Sequence, residues 1–206
     1  MANLVVEALQ SVLPLRRCST RLGAAYEPPD GAVACGAAQL GVAQCPCAGV
    51  ADRAAYERAV GAAVRAFAGD AAAVTAHLIA RMSELAAAQR FEEAAMVRDR
   101  LQALLGAVRR QRLTDAVRSL ERCVVRRGDT AWIIDRGRLV DVTIDGAVGR
   151  ALPAGPPEPP AAGRPLSRQT VDEALILAKF LDRHAARLDV VECHGTWTFP
   201  IAVTDE

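Results

Sequence analysis

Apolar residues recur every three or four positions through most of the first 118 residues. This period places them on one face of an α-helix. Short polar or glycine-containing breaks separate the later runs, whereas residues 15–50 are predicted to be irregular. The pattern predicts helices over residues 3–13, 52–69, 71–88 and 92 to about 118. Because only a tight turn separates the last two, they are predicted to form an antiparallel helical hairpin.

Beyond residue 118 the period changes to that of short β-strands. Turn-forming pairs at 128–129 and 136–137 separate the first runs, which predicts a small antiparallel meander. A helix follows, with Ser167 as its cap. The predicted strands are 123–125, 130–135, 138–144, 188–191 and 196–200, and the predicted helix is 170–183.

These elements predict an α+β fold with a helical N-terminal half and a small antiparallel meander plus a helix at the C-terminus. We expect three regions: residues 1–50, with one helix and a cysteine-containing loop region; residues 51–118, with the hairpin; and residues 119–206, a small α+β domain. Residues 153–165 are predicted to be a linker, because their prolines exclude a helix or a central strand.

Net charge, the length of the apolar runs and the N-terminal residues limit the classes of protein to which this sequence can belong. The net charge of +1 gives no overall argument for nucleic-acid binding. No apolar run approaches the ~20 residues that span a bilayer. Residues 1–12 lack the basic start of a secretory signal and carry Glu7. We therefore expect a cytoplasmic protein with no membrane partner.

The hairpin carries a contiguous match to the pattern F-E-x-A-A-x-x-R-D-x-[IL], from Phe91 to Leu101. This resembles the UVR motif, through which the excinuclease protein UvrC pairs with the UVR-containing helicase subunit of nucleotide excision repair. The resemblance implies a DNA-repair protein with that helicase subunit as its partner. It implies a partner-binding set of Leu78, Met82, Leu85, Phe91, Glu92, Ala95, Arg98, Asp99 and Leu101.

Periodicity alone also fits an ordinary hairpin packed inside its own domain. A helix pair this short cannot bury both of its faces, so its apolar row needs a partner in this chain or in another. Arg98 and Asp99 lie beside that row, where opposite charges select register and partner more than they add affinity.

Cysteines in the first 50 residues give a second resemblance to UvrC. Pro14, Leu15, Arg16 and Cys18 fit P-L-R-x-C, and Cys35, Gln39, Leu40, Gly41, Pro46, Cys47 and Gly49 fit C-x-x-x-Q-[IL]-G-R-C-x-x-P-C-x-G. The third cysteine of the family would fall at Ala43, with Cys45 two positions later as a substitute. Cys18, Cys35, Cys45 and Cys47 are therefore a candidate set for an iron–sulfur cluster or zinc; free thiols are the alternative.

The segment after the hairpin is rich in arginine. Side chains such as Arg109, Arg110, Arg112 and Arg118 suggest a strip that contacts DNA phosphates. The alternative is a solvated helix face. Aromatic residues are not interleaved with these arginines, so base stacking is not expected.

Signs of catalysis are missing. There is no GIY or YIG sequence, no paired acidic residues of a DEDD exonuclease and no G-x-x-x-x-G-K-[ST] loop, so we assign no catalytic residue. Residues 119–206 resemble the C-terminal extension of actinobacterial exonuclease–UvrC-like fusions, through AWIIDRGRLVD, DEALILAKFLDR and TWTFP. The sequence favours an accessory docking protein. The alternatives are a regulatory UVR protein that binds metal and a chaperone or kinase, and a subunit whose nuclease domain is supplied in trans.

Overall fold

The computed structural model describes residues 1–18, 21–23, 26–49, 51–148 and 167–201. They form two compact units, Met1–Arg109 and Arg110–Glu206. The division falls inside one long helix, ahead of the predicted boundary between residues 118 and 119. The predicted linker at 153–165 lies outside the described residues. The α+β fold class is confirmed.

The first unit is helical, as the apolar period predicted. Asp52 caps the third helix through its Oδ1, which accepts a hydrogen bond of 2.9 Å from the Ala54 N–H. A short 3-10 helix, Pro46–Ala48, lies in the cysteine-containing loop region. The α-helices are α1 (Ala2–Val12), α2 (Gly36–Gln39), α3 (Arg53–Phe67), α4 (Ala72–Ala87) and α5 (Phe91–Arg118), of which α5 continues into the second unit.

Helix α1 supplies the cover for the hairpin of α4 and α5. Its apolar face packs into the same buried cluster as the inner rows of α4 and α5. An ion pair of 3.0 Å between Glu7 Oε2 and Arg100 Nε joins α1 to α5 at the rim of this cluster. The buried members of this hydrophobic cluster include Val5, Ala8 and Leu9 from α1, Val74, Leu78 and Leu85 from α4, and Val97, Leu101, Leu104 and Val108 from α5.

The second unit contains a five-stranded antiparallel sheet in its described part, in the order β4-β3-β2-β1-β5. Two-residue turns connect the first four strands. Arg136 and Gly137, in the β2–β3 turn, both have positive φ, at 45° and 81°, as the mirror-image hairpin turns require. The strands are β1 (Arg122–Arg127), β2 (Thr130–Asp135), β3 (Arg138–Ile144), β4 (Ala147–Val148) and β5 (Asp189–His194).

Helix α6 (Arg168–His184) packs with the sheet and the end of α5 around a second buried cluster. Ser167 caps α6 as predicted, since its Oγ accepts a hydrogen bond of 3.1 Å from the Thr170 N–H. The predicted strand at 196–200 is wrong: these residues follow β5 without forming a strand. Their apolar side chains are used differently, because Phe199 is buried in the cluster and Trp197 packs against it.

No single helix among the described residues is long and apolar enough to cross a membrane, although α3 and α4, bent by 93° at their junction, reach that length and composition when taken as a pair.

Candidate docking seam and cysteine cluster

The hairpin turn between α4 and α5 is built from backbone hydrogen bonds. The Arg90 N–H donates to the Leu85 carbonyl at 2.9 Å, and the Gln89 N–H donates to the Ala86 carbonyl at 3.0 Å. These two bonds define a Schellman motif, whose C′ residue adopts the left-handed conformation. Gln89 holds that position at φ 57°, where glycine carries no steric cost.

We expect Gln89→Gly to stabilise the first unit by about 0.5–1 kcal/mol, because it removes the left-handed strain of a residue with a Cβ. The matched control is Ala88→Gly, at the adjacent helix C-cap, where φ is −82° and glycine brings only its entropic cost. Thermal unfolding followed by circular dichroism should show opposite shifts. A melting temperature of Gln89→Gly at or below that of the wild type would contradict this account of the turn.

The inner face of the hairpin is already covered. Three residues of the predicted partner-binding set, Leu78, Leu85 and Leu101, are buried in the cluster that α1 completes, and Met82 packs against them. They are therefore not surface contacts in this conformation. The apolar period correctly marked a buried face, but α1, far earlier in the chain, provides the cover.

The outer face of α5 carries the rest of the predicted set. Phe91 is 63% exposed although it is a large aromatic residue, and Leu105, which lies outside the predicted set, is 45% exposed. Ala95 lies half-buried between them, and Glu92, Arg98 and Asp99 are exposed. We call Phe91, Ala95, Arg98, Gln102 and Leu105 the outer seam.

The spacing of the outer seam is its main signal. Successive members are four, three, four and three residues apart. This is the interval that keeps one stripe of an α-helix facing a neighbouring helix. The period was visible in the sequence, but the stronger apolar row through Leu101 and Leu104 obscured it.

The charged side chains at the outer seam, Arg98 and Asp99, form only a weak ion pair with each other. Arg98 Nη2 lies 2.8 Å from Asp99 Oδ1, and about half of each side chain is exposed. Adjacent residues of a helix do not face each other, and exposed ion pairs contribute only ~0–1 kcal/mol. Both groups can therefore exchange this contact for charges on a partner at little cost. Near the start of α5, Arg90 and Glu93 form an ion pair through two hydrogen bonds of 2.6 Å.

The four arginines proposed to contact DNA do not form one strip. At 100° per residue, Arg109, Arg110, Arg112 and Arg118 are distributed around α5. Arg109 is exposed and the other three are partly buried. The geometry therefore gives little support to a phosphate-binding strip on this helix.

Four predicted metal ligands lie on loops of the first unit that local contacts hold together. The Gln44 N–H donates to the Pro14 carbonyl at 3.0 Å, and the Tyr26 hydroxyl donates to the Cys47 carbonyl at 3.1 Å. Cys45 is buried, Cys18 and Cys47 are partly buried, and Cys35 is exposed. All four are free thiols.

The thiols contact one another as a chain. The Cys45 and Cys47 sulfurs are 3.0 Å apart. A backbone hydrogen bond from Cys35, followed by the Cys47 thiol, lowers the pKa of Cys45. The hydrogen bond with Cys45, together with burial and the nearby Cys18 thiol, raises the pKa of Cys47 to about 11. The Cys45 thiol is therefore more acidic than the Cys47 thiol.

This arrangement has the donors for a metal but not a closed ligand set. Within the described ranges, no group of three or more side chains converges closely enough to hold an ion as it stands. Thiolates bind zinc with Zn–S distances of about 2.3 Å in tetrahedral sites, so the four sulfurs would have to draw inward. The third thiol of this cluster comes from Cys45, because position 43, where the family pattern has a cysteine, is an alanine in this chain.

The second unit has a groove that no sequence pattern indicated. A cavity of about 1020 Å³ lies between β2, β3 and α6. Its walls include the aromatic pair Trp132 and Phe180, with ring centroids 5.1 Å apart, and Ile176, which is 71% exposed. The charged residues at its rim are Arg138, Arg168, Asp172 and Glu173, and Arg138 and Glu173 are paired at 3.4 Å.

Comparison with known proteins bears on the hairpin and on half of the chain. Residues 73–106 match the UVR family, described as the UvrB/uvrC motif, which confirms the resemblance of the hairpin. The UvrABC system protein C of Natronomonas pharaonis is 39% identical over 100 residues, which are 48% of this chain and 16% of that protein. The protein of the same name from Halobacterium salinarum is 36% identical over 102 residues, 50% of this chain and 16% of that protein.

The chain thus spans only 16% of the length of the curated relatives it matches. No solved structure gives a significant match. What these comparisons establish is a UVR motif in α4 and α5 and a partial, distant similarity to UvrC.

Proposed function

We propose that this chain is a docking module of nucleotide excision repair, which binds the UVR-containing helicase subunit of the excinuclease through the outer seam. The observation that carries the proposal is the exposed row with alternating four- and three-residue spacing, placed on a helix that matches the UVR motif. An exposed Phe91 at one end and an exposed Leu105 at the other give this row apolar anchors.

The seam suits a helical partner for three physical reasons. Burying an exposed aromatic side chain in an interface is a common source of binding energy, and Phe91 offers such a side chain. Ala95 is small, so a partner helix can approach α5 closely beside Phe91. Arg98 and Asp99 present opposite charges next to each other, which selects a partner whose charges run in the complementary order.

Catalysis is not assigned to this chain. The carboxylates of the described residues do not gather into a group that could hold catalytic metal ions. The similar proteins are called UvrABC system protein C, and they are much longer than the region they share with this chain. We propose that any nuclease domain acts from elsewhere, while this chain provides attachment. DNA contact through the arginines of α5 is not part of the proposal.

Isothermal titration calorimetry tests which partner the chain binds. The full chain is titrated with the purified UVR-containing helicase subunit, and separately with a UVR-binding chaperone or kinase subunit from the same source. Saturable binding to the helicase subunit at micromolar or lower concentration, with none to the others, is the expected result. Binding to the chaperone or kinase subunit alone would replace the repair role with the regulatory one.

We propose in addition that Cys18, Cys35, Cys45 and Cys47 hold zinc or an iron–sulfur cluster. Support comes from the thiol-to-thiol contacts and from the lowered pKa of Cys45, since metals bind the thiolate form. A bound metal would link the loops before α3 to one another and stabilise the first unit.

The chain purified without oxygen should contain about one zinc ion or one cluster, as measured by elemental analysis and absorption spectroscopy. Cys45→Ser and Cys47→Ser should each lose most of it, and a chelator should lower the melting temperature of the wild type but not that of these two variants. Cys193→Ser, in the second unit, is the matched control and should retain the full metal content. Less than half an equivalent of metal in the wild type would contradict the proposal.

A further inference from the structure

Two cysteines of the second unit lie opposite each other on adjacent strands of the sheet. Cys123 on β1 and Cys193 on β5 are directly opposed in the antiparallel register, and both are free thiols. Directly opposed residues place their side chains on the same face, with Cβ atoms about 4.5–5.5 Å apart. A disulfide requires about 3.5–4.5 Å, so closure needs a movement of roughly 1 Å or less.

The two thiols differ in their burial and in their access to solvent. Cys123 is fully buried within the second cluster, whereas Cys193 packs against that cluster from a partly exposed position. Burial, followed by the neighbouring Cys193, raises the pKa of Cys123 to about 12. The Cys193 thiol donates a weak hydrogen bond of 3.9 Å to the Gly195 carbonyl. An oxidant from solvent therefore meets Cys193 first, with Cys123 behind it.

Strand β5 is also a segment that a crosslink would hold firmly in place. It lies at the edge of the described sheet and pairs with β1 only. The register between these strands shifts between Val124 and Val125, immediately beyond the Cys123 position. Edge strands and irregular pairings are the parts of a sheet that separate most easily.

We propose that Cys123 and Cys193 form a reversible dithiol–disulfide site that a peroxide oxidises. The Cys193 thiolate attacks one oxygen of hydrogen peroxide, and the O–O bond breaks. Cys193 becomes a sulfenic acid, and the released hydroxide takes up a proton to form water. The Cys123 sulfur then attacks the Cys193 sulfur, the S–O bond breaks, and the hydroxyl departs as water with the Cys123 proton. Two thiols are oxidised by two electrons, and one peroxide is reduced to two water molecules. A small thiol such as glutathione restores the dithiol by exchange.

The disulfide ties β5 to β1 and closes the chain between residues 123 and 193. Crosslinks that close long loops restrict the unfolded chain and thereby favour the folded one. The oxidised second unit should accordingly resist separation of its edge strand and unfold at a higher temperature than the reduced unit.

Peptide mapping tests the site directly. The full chain is exposed to hydrogen peroxide while folded, its remaining thiols are alkylated, and it is digested without reduction for mass spectrometry. We expect one linked peptide pair containing Cys123 and Cys193, lighter by two hydrogens than the separate peptides and lost after glutathione treatment. Cys193→Ser should abolish this pair, and Cys45→Ser should leave it unchanged.

Tryptophan fluorescence gives an independent reading, because Trp132 and Trp197, the two tryptophans of the chain, both belong to the second unit. Peroxide should raise the melting temperature of the wild type by several degrees and leave that of Cys193→Ser unchanged. The proposal is overturned if Cys193 of the folded wild type ends as a sulfinic acid or remains free while Cys123 is recovered as an unlinked thiol.

Discussion

A Gly195→Ala substitution is expected to destabilise the second unit by about 3 kcal/mol or more, the largest stability effect that this structure predicts. Gly195 has φ +106°, a region that residues with a Cβ rarely adopt. A Cβ built there would overlap the carbonyl oxygen of Ser119 and crowd the Cα of Leu120. Both neighbours are backbone atoms, so a rotamer change cannot relieve the overlap.

The contact fixed by Gly195 joins the end of α5 to the end of β5. One residue earlier, the His194 carbonyl accepts a hydrogen bond of 2.9 Å from the Glu121 N–H. Any displacement of residue 195 therefore also disturbs this bond and the start of β1. The loss should reach the buried cluster, because Leu120 is one of its fully buried members.

Urea unfolding followed by tryptophan fluorescence measures this effect on the second unit. Gly128→Ala is the matched control, since Gly128 also has positive φ, at 59°, but a Cβ there meets nothing within 4 Å. It should cost only about 1 kcal/mol. Equal destabilisation by the two substitutions would show that the close approach at Gly195 is not important.

A Phe91→Ala substitution is expected to weaken binding to the helicase subunit by about 30-fold or more, equivalent to about 2 kcal/mol. The exposed ring is the largest apolar group of the outer seam, and its removal leaves a gap that the partner cannot fill. The fold should be unaffected, because most of the ring lies outside the buried cluster in the free chain.

Titration of the variant against the same partner measures this loss, with circular dichroism to verify the helices. Ile176→Ala is the matched control: it also removes an exposed apolar side chain, but from the second unit. It should bind like the wild type. Unchanged affinity of Phe91→Ala, or an equal loss in Ile176→Ala, would remove the outer seam from the interface.

Periodicity was enough to predict the long helices and most of the strands, but not the four-residue helix α2, which lies in a stretch predicted to be irregular. The hairpin is recognisable because Val74, Leu78 and Leu85 recur at helical intervals. The turns at 128–129 and 136–137 contain glycines at positions that require positive φ. The two-residue strand β4 was missed because so short a segment has no measurable alternation.

Packing partners could not be predicted in the same way. An apolar stripe shows that a face is buried, but it does not show which segment buries it. Leu78 and Leu101 were assigned to an external partner for this reason, whereas α1 covers them. Similarly, 196–200 has the composition of a strand, but Phe199 and Trp197 serve as packing groups next to the sheet.

Candidate site residues were predicted with mixed precision. The exposed part of the set, including Phe91 and Arg98, follows from the UVR pattern and lies on the surface. Gln102 and Leu105 continue the same stripe beyond the end of that pattern. The opposition of Cys123 and Cys193 has no local signal in the sequence, because only the sheet register brings them together.

Hydroxyl-radical footprinting of the free chain and of its complex with the helicase subunit tests the docking proposal most directly, since it reports the solvent access of individual side chains. Phe91 and Leu105 are exposed in the free chain and should be oxidised readily there. In the complex, their oxidation should fall several-fold, while that of Ile176 stays constant. Equal oxidation of Phe91 and Leu105 in the free and bound chain would contradict docking through the outer seam.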